Sequence, residues 1–407
     1  MSEHDKTHPD HRDIGRDLDL FSFHEYAPGS VFWHPKGMLI FQELMSLIEE
    51  NLKSGEFGEY GEVSTPILVK SDLWKISGHW DKFKENMFAL KVDEQDYALK
   101  PMNCPETALI YAAKVRSYRD LPIRLAETTS KLHRNEVSGS LGGLLRVRQL
   151  SMDDAHIFCS MDQVEQEISY IIKLIEKVHS HFGFKFEYHL GTRPDNHIGS
   201  QKTWDEAEEF LAKALKANGI KFKVKEKDGA FYGPKLDINT KDSLGREWTV
   251  PTVQLDFNLP ERFKLEYVGQ DGSRIRPVMI HRAIYGTFER FVGVLLEHFK
   301  GVLPPWLHPV QAALLPVGET HYSYAKEVFD ELKGKRIRVE LFDSDETVSK
   351  RVREAELQKV PYILVLGDEE KKSGSVAVRR RGLKNQEKIG LAEFIKKIKE
   401  EIYQRKS

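Results

Sequence analysis

Apolar residues recur at intervals of three or four positions in several stretches of the chain, which is the spacing of an amphipathic helix. Gly55 and Gly183 each follow such a stretch, and glycine is common just past the end of a helix. Before residue 300, the pattern therefore predicts long helices over residues 37–55, 162–181 and 280–299.

Elsewhere, the side chains favour strands. Residues 61–69, GEVSTPILV, carry β-branched side chains around Pro66, which favours a strand at an edge or an interface. Between residues 221 and 257, short alternating segments are separated by glycine-containing turns, which indicates antiparallel strands. Beyond residue 309, strand and helix patterns alternate, which is typical of a small α/β domain with a mixed or parallel sheet.

The clearest domain boundary is VLPPWLHP, residues 302–309. It contains three prolines within six positions, and proline cannot continue a helix. We therefore divide the chain into a polar tail or linker, a large domain, a proline-rich linker and a C-terminal domain, over residues 1–20, 21–303, 304–309 and 310–407.

Composition narrows the class of protein. Hydrophobic residues make up 40% and charged residues 30% of the 407 positions, which describes a globular protein. The 61 basic and 63 acidic side chains leave a net charge of -2, which excludes a uniformly basic nucleic-acid binder but not a local basic patch. With only Cys104 and Cys159 as cysteines, and neither a membrane-spanning run nor a signal-peptide pattern, we expect a cytoplasmic protein without a disulfide framework.

The segment KLHRNEVSGSLGGLLRVRQL holds Arg134, Glu136, Arg146 and Arg148 around a glycine-containing turn. A strand, a turn and a returning strand would present these side chains over one face. The planar guanidinium suits phosphate oxygens, and glycines let a turn approach a ligand closely. A solvated hairpin with surface arginines explains the same spacing. The usual phosphate-binding loops, GxxxxGK[ST] and GxGxxG, do not occur in the sequence.

A second arginine lies in HRAIYGTFERFVG, where Arg290 follows Glu289 among apolar residues. Such an arginine either pairs with a buried acid or presents its guanidinium plane to a ring or a phosphate of a ligand. The spacing alone does not decide between these two interpretations.

Together, these segments resemble the signature motifs of the class II aminoacyl-tRNA synthetases. GEVSTPILV, HRNE and GTFERF stand in the order of the three class motifs, and KPMNCP, DDAHIFC, AFYGPKLD, TVQLDF and MIHRAIYG look specifically like threonyl-tRNA synthetases. The resemblance runs from residue 10 to the C-terminal helix. It implies an α+β catalytic domain with an antiparallel sheet flanked by helices, an α/β anticodon-binding domain, and a homodimer with Pro66 at its interface.

The resemblance also implies an ATP site. Arg134 would hold the α-phosphate and the substrate carboxylate, Glu136 would read the adenine amino group, and Arg146 would lie near the distal phosphates. Arg290 would lie against adenine and the γ-phosphate. Such a site aligns its reactants and neutralises developing charge, with Mg²⁺ accompanying ATP.

Two further residues are candidates for catalysis, each with an ordinary alternative. His79, in SGHWDKF, would lie near the reacting hydroxyl of tRNA, where a near-neutral pKa suits proton transfer, or it packs in the interior. Lys235, in YGPK, would face a phosphate, or it is a solvated lysine of a turn.

Cys104, His156 and His281 are far apart in sequence, and each could be an ordinary buried cysteine, core histidine or helix cap. By resemblance, the three bind one Zn²⁺ per chain and leave it an open position. That zinc would take the amino group and the hydroxyl of L-threonine, which valine lacks, and a site that requires a hydroxyl rejects the isostere strongly. The resemblance adds the substrate-binding residues Asp154, Tyr232, Gln254 and Met102.

The sequence departs from the family pattern at three positions. Met152 stands where the family usually has Gln, Leu150 where it has an aromatic residue, and Glu106 where a glycine is common after NCP. Loss of an aromatic stacking partner costs about 1 kcal/mol, too little to abolish ATP binding. We interpret these departures as reduced or retuned activity. They also keep open a second hypothesis, a catalytically weak paralogue that binds tRNA or mRNA as a regulator.

The C-terminal domain is mildly basic, and VAVRRRG is its densest basic run. A run of this kind is often a solvated face. By resemblance, Glu370 and Arg379 read anticodon bases, whose edges are exposed in an unpaired loop, while Lys371, Arg380 and Arg381 contact phosphates.

Family members commonly carry an N-terminal ubiquitin-like domain and an editing domain, and we expect this chain to lack both and so not to edit in cis. His4 and His8 have the HxxxH spacing of the editing domain, but their polar context indicates a tail. Because serine differs from threonine by a methyl group worth about 1–3 kcal/mol, we expect measurable seryl-tRNA formation.

The resemblance thus predicts a threonine–tRNA ligase with ATP, L-threonine and tRNA(Thr) as its partners. It would form threonyl-adenylate and transfer threonine to the 3′ end of tRNA. A related ligase for another amino acid is the remaining alternative, and the Cys, His, His set with Asp154 argues against it.

Overall fold

The structure is a computed structural model, which describes residues 10–242, 245–342, 346–383 and 385–406, with only the backbone at positions 129 and 130. His4 and His8 lie outside the described residues. Among the residues described, no helix is both long and apolar enough to cross a membrane.

The α-helices of the described residues are, in chain order, α1 (His11–Asp17), α2 (Pro35–Lys53), α3 (Ser71–Ser77), α4 (His79–Lys82), α5 (Cys104–Ala112), α6 (Val164–His179), α7 (Gln201–Ala217), α8 (Asn258–Arg262), α9 (Phe288–His298), α10 (Tyr322–Gly334), α11 (Val348–Leu357), α12 (Asp368–Ser373) and α13 (Leu391–Gln404).

The strands are β1 (Phe21–Ser22), β2 (Phe32–Trp33), β3 (Gly61–Glu62), β4 (Leu68–Lys70), β5 (Ala89–Val92), β6 (Gln95–Leu99), β7 (Arg116–Ser117), β8 (Ile123–His133), β9 (Gln149–Cys159), β10 (Glu187–Gly191), β11 (Phe222–Lys225), β12 (Lys235–Lys241), β13 (Glu247–Asp256), β14 (Tyr267–Val268), β15 (Arg274–Ile275), β16 (Val278–Thr287), β17 (Ala312–Pro316), β18 (Val339–Leu341), β19 (Tyr362–Leu366), β20 (Ser375–Arg380) and β21 (Gln386–Gly390).

The chain divides into two compact units. The large unit comprises residues 23–31 and 45–295, and the small unit comprises residues 10–22, 32–44 and 296–406. The boundary predicted at residues 304–309 lies within the small unit.

The large unit is built on a sheet with the strand order β11-β10-β12-β13-β16-β9-β8-β3. Its central pairs, from β12 to β8, are all antiparallel. Helix α6 packs on this sheet through a continuous apolar stripe that is fully buried, including Ile168, Ile171 and Ile175. The antiparallel sheet with flanking helices confirms the predicted class II synthetase fold.

The small unit contains a mixed sheet with the order β18-β17-β19-β20-β21. Strands β18, β17 and β19 are parallel, whereas β20 and β21 are antiparallel to their neighbours. Helices α10 and α13 cover one face with a core that includes Val328, Phe394 and Ile398. This arrangement confirms the predicted α/β domain with a mixed sheet.

Three local predictions were wrong. Residues 280–287 belong to the buried strand β16 and not to a helix. The prediction failed because a strand buried on both faces has the same continuous apolar pattern as a buried helix. Residues 61–69 form two short strands, β3 and β4, and not one. Residues 11–17 were placed in a tail but form α1, whose His11 Nδ1 lies 2.8 Å from Glu297 Oε1.

Candidate active site

Two adjoining cavities lie over the centre of the large sheet, in volume about 70 and 280 Å³. The smaller is surrounded by the metal-ligand candidates, and the larger by the arginine motifs. Both are lined by Arg134, Met152, Thr252 and Gln254. We call them the metal side and the nucleotide side of the site. Neighbouring antiparallel strands place their side chains on one face, which explains how residues distant in sequence meet here.

The structure brings Cys104, His156 and His281 together. One ligand atom from each lies within 4.8 Å of the others, and all three residues are buried. His156 and His281 are directly opposite each other on β9 and β16, while Cys104 is the first residue of α5. In the sequence, this trio is identifiable only by resemblance, because no short spacing connects its members.

Neighbouring side chains orient the trio. His281 Nε2 lies 3.0 Å from Asp256 Oδ2, which leaves Nδ1 of the same ring for a ligand. His281 also stacks on Tyr232, with ring centroids 4.9 Å apart. Asp154 Oδ2 accepts a hydrogen bond of 3.1 Å from Asn103 Nδ2, and the Tyr232 hydroxyl donates to Gln254 Oε1.

Burial controls the protonation of these groups. Burial, with Asp154 nearby, raises the pKa of the Cys104 thiol well above its usual value. Burial and the neighbouring His281 lower the pKa of His156 well below its usual value, so the ring is neutral. Burial raises the pKa of Asp154 to about 6, against the opposing effects of His281 and Asn103.

The donor set fits Zn²⁺. Sulfur and two imidazole nitrogens are the ligands that zinc prefers, and three protein ligands leave a fourth position open. A neutral His156 is already in the protonation state for binding a metal. A divalent cation would also stabilise the thiolate of Cys104 in a buried place where it is otherwise costly.

On the nucleotide side, Arg134 and Arg290 face the same cavity. Arg134 follows β8, and its Nε atom is buried without a hydrogen-bond partner among the described residues. Arg290 Nε donates to the carbonyl of Leu145 at 3.2 Å, and its guanidinium lies 5.7 Å from the Trp248 ring centroid. Burial, together with Arg134 and Arg146, lowers the pKa of Arg290 to about 10. Two arginines that face one cavity, one of them with an unpartnered Nε atom among the described residues, favour an anionic ligand.

The remaining polar residues of this side are paired internally. Arg146 is exposed and lies 3.1 Å from Glu136 Oε2. Lys235 lies 2.6 Å from Asp237 Oδ2 and 3.4 Å from Asp228 Oδ2, so it is not a solvated lysine of a turn. Burial acts to lower the pKa of Lys235, but these two acids outweigh that effect and raise it.

His79 lies close to the metal side but deep in the interior. Its Nδ1 is 2.8 Å from Ser77 Oγ, its Nε2 is 3.2 Å from Met102 Sδ, and its ring contacts Phe231 edge to face. Burial, with His281 and Arg134 nearby, lowers the pKa of His79 to about 3. Burial therefore favours the second interpretation of His79, a neutral imidazole that packs in the interior.

The three departures lie around the same site. Met152 lines both cavities, and Leu150 lines the nucleotide side from a buried position next to Leu132. Glu106 is buried on α5 with both carboxyl oxygens unpartnered within the described chain. Burial raises the pKa of Glu106 to about 8, so its carboxyl is neutral at pH 7.

The anticodon candidates Glu370 and Arg379 lie in the small unit at opposite ends of β19. Glu370 accepts a hydrogen bond of 3.0 Å from the Gly367 amide, just after the strand ends. Arg379 is paired with Ile363 at the start of the strand and lies 2.6 Å from Glu356. The two side chains therefore lie on different elements, Glu370 on α12 and Arg379 on β20.

Sequence reasoning missed several residues that hold the site in place. Asn103 and Asp256 bind the predicted residues Asp154 and His281, and Asp153 and Arg282 form a fully buried pair beside them. Each stands within two residues of a predicted site residue in the sequence, and that adjacency was the available signal. Which neighbour turns toward the site depends on the pleat and on bulges, which spacing does not reveal.

Comparisons with known proteins match this architecture. Residues 87–299 match the tRNA synthetase class II core domain (G, H, P, S and T), and residues 311–401 match an anticodon binding domain. The chain therefore belongs to the class II aminoacyl-tRNA synthetases, and within that class its similarity is to the threonyl-tRNA synthetases.

Individual relatives give the extent of that similarity. The threonine–tRNA ligase of Caldanaerobacter subterraneus subsp. tengcongensis is 49% identical over 394 residues, covering 97% of this chain and 60% of the relative. That of Carboxydothermus hydrogenoformans is 48% identical, covering 98% and 62%. The chain thus spans about three fifths of these relatives. A crystal structure of the RNA binding domain of threonyl-tRNA synthetase from Cryptosporidium parvum superposes with a TM-score of 0.92 at 42% identity, over 96% of this chain and 98% of the other.

Proposed function

We propose that the chain activates L-threonine with ATP and transfers it to the 3′ end of tRNA(Thr). The observation that carries this proposal is the adjacency, over the same sheet, of a buried Cys, His, His trio and Arg134, whose Nε atom has no hydrogen-bond partner among the described residues. The first is a place for a metal, and the second is a place for an anion.

Arg134 lines both cavities, where it would bind the threonine carboxylate and the α-phosphate of ATP at once. The two reactants both carry negative charge, and a shared guanidinium reduces their repulsion as they approach. Arg290 would bind the γ-phosphate and the adenine ring, with Mg²⁺ accompanying ATP. The chain's contribution is therefore to align the carboxylate with the α-phosphorus.

The metal side would select the amino acid. When bound to the trio, Zn²⁺ supplies a Lewis-acid site for the amino group and hydroxyl of threonine. Asp154, oriented by Asn103, would accept a hydrogen bond from the hydroxyl. Tyr232 and Gln254, with Met102, would border the same small cavity. Valine has no hydroxyl to offer these groups, which accounts for its rejection.

Pyrophosphate exchange with three amino acids tests this function. We expect threonine-dependent exchange, weaker exchange with serine, and none above background with valine. The serine deficit should be about 10- to 200-fold, the worth of one methyl group in a pocket. Zinc content is measured on the same sample. Exchange with valine but not threonine would contradict selection through the hydroxyl, and zinc without any exchange would favour a binding protein over a ligase.

A homodimer through the segment around Pro66 completes the proposal. Strands β4, β6 and β5 form a small sheet, and their exposed side chains include Leu68 and Leu90. Ile67 beside them is also exposed. An apolar face of this kind fits an interface with a second copy. Sedimentation of the chain and of Leu68→Asp should give a dimer and a monomer, respectively, whereas a monomeric parent chain would contradict this part.

A further inference from the structure

Strand β16 carries parts of both sides of the site, and a bulge separates them. On the metal side, His281 lies opposite His156. Further along, Ala283 pairs with Asp154, but the next pair joins Thr287 to Met152. β16 therefore advances four residues while β9 advances two. Because a regular strand rises about 3.3 Å per residue, the two extra residues leave the end of β16 about 7 Å nearer to His281 than a regular strand of the same length would. The bulge thus brings the start of α9, which carries Arg290, closer to the metal side.

One carboxylate holds the bulge from β9. Asp153 Oδ2 accepts a hydrogen bond of 2.6 Å from the Ile284 amide, and Oδ1 accepts one of 3.0 Å from the Tyr285 amide. In this stretch, three residues of β16 face the single residue Asp153 of β9, and the register shifts between Ala283 and Thr287. Arg282 Nη1 donates to the Asp153 carbonyl at 2.8 Å and lies 3.5 Å from its carboxylate. Both side chains are fully buried.

A histidine holds the bulge from the helix behind the sheet. His179, the last residue of α6, donates from Nε2 to the carbonyl of Ile284 at 2.7 Å. Since the acceptor is a carbonyl, Nε2 must carry the proton. Rings from Phe182, Phe186 and Phe291 surround the imidazole and fix its orientation.

The backbone of the bulge is itself restricted. Gly286 has φ +72, and a Cβ atom there would lie 2.5 Å from the Val250 carbonyl oxygen. Only glycine fits this conformation and this approach. Side-chain hydrogen bonds thus hold two amides and one carbonyl of the bulge, and its last residue must be glycine.

We propose that Asp153 and His179 are positioning residues that set the distance between the metal side and the nucleotide side of the site by holding the β16 bulge. Neither touches a substrate in this account, so both act through His281 and Arg290. The proposal rests on the proposed function, since it concerns the geometry of that same site.

A set of four variants of the full chain tests it. His179→Phe keeps the ring and removes the donor, whereas His179→Gln keeps a donor near the position of Nε2. Asp153→Asn keeps the shape and removes an acceptor. The control is Glu167→Gln, which weakens a buried pair on the same α6 helix, where Arg124 donates to Glu167 at 2.6 and 2.7 Å, away from the bulge.

Three readouts separate positioning from general stability: ATP affinity by calorimetry, the visible spectrum of the Co²⁺-substituted chain, and thermal unfolding. We expect His179→Phe and Asp153→Asn to weaken ATP binding about 10- to 100-fold, which is the usual range of effect for residues that orient metal ligands. Both variants should also alter the Co²⁺ bands. His179→Gln should recover most of the affinity. Glu167→Gln should lower the unfolding temperature while leaving ATP affinity and the spectrum unchanged.

The outcomes separate a failure of the positioning role from a failure of the proposed function. If His179→Phe and Asp153→Asn match Glu167→Gln in ATP affinity and spectrum, the positioning role is wrong. If Asp153→Asn fails to fold, the pair of His179 variants decides the question alone. If the parent chain binds ATP and shows the expected variant pattern but does not activate threonine, the proposed function is wrong while the positioning role stands.

Discussion

The metal side and the nucleotide side share Arg134 but are built in different ways. On the metal side, Cys104, His156 and His281 are all buried, and Asp256 holds the His281 ring. On the nucleotide side, the Arg146 side chain is 53% exposed and its partner is Glu136. The metal side is shaped by the fold before a ligand arrives. The nucleotide side must exchange internal ion pairs for ligand contacts. Under the proposed function, selectivity would belong to the metal side and adaptable charge to the nucleotide side.

Removing a metal ligand should have the largest effect. We expect Cys104→Ala to lose bound zinc and to reduce threonine-dependent exchange by at least about 100-fold, since even residues that only orient a metal ligand contribute 10- to 100-fold. Zinc content and exchange rate measure this. Cys159→Ala is the matched control, because Cys159 is equally buried but lies outside the trio. An equal loss of zinc and of exchange activity in both variants would mean that Cys104 has no special role in metal binding or in exchange.

Replacing the inner arginine should have the next largest effect. Arg290→Lys keeps the charge but loses the planar fork, so we expect ATP affinity to fall about 10-fold, the worth of one charge-assisted hydrogen bond. Arg246 also lies 5.7 Å from the Trp248 ring centroid but is exposed, which makes Arg246→Lys a matched control. Calorimetry with ATP measures both. Similar losses for the two would indicate that Trp248, and not the nucleotide, is the partner that matters.

The exposed arginine should matter less and should depend on salt. Arg146→Gln frees Glu136 from an exposed ion pair, and such pairs contribute only about 0–1 kcal/mol. We expect the KM for ATP to rise less than about 5-fold, with the difference shrinking as salt screens the phosphate contact. KM values at low and high salt measure it. A loss as large as that of Arg290→Lys would remove the distinction between fixed and adaptable charge.

The sequence predicted the parts of this site that depend on residues close together in the chain. The β8–β9 hairpin, helix α6 and the alternation of the C-terminal domain all follow from short-range periodicity and turn residues. Resemblance supplied the Cys, His, His trio, whose members the fold brings together from two strands and one helix. Neither source revealed that residues 280–287 are a strand, because its burial on both faces hides the alternation.

What periodicity could not supply was register. Only the pairing of β9 with β16 reveals that three residues of β16 lie opposite Asp153. Because of this bulge, the Asp153 carboxylate accepts hydrogen bonds from backbone amides and does not face the cavity. The adjacent Asp154 faces the metal side. Two neighbouring aspartates thus have different tasks because successive residues of a strand point to opposite faces.

The smallest predicted effect concerns Met152, which lines both sides and stands where the family usually has glutamine. Met152→Gln adds a hydrogen-bonding group next to the proposed threonine site at little change in volume. A hydrogen bond of this kind contributes about 0.5–1.5 kcal/mol, so we expect the KM for threonine to fall about 2- to 10-fold while the KM for ATP changes little. Met161→Gln, on an exposed methionine, is the control. An unchanged KM for threonine would mean that position 152 shapes the boundary between the two sides without contacting the substrate.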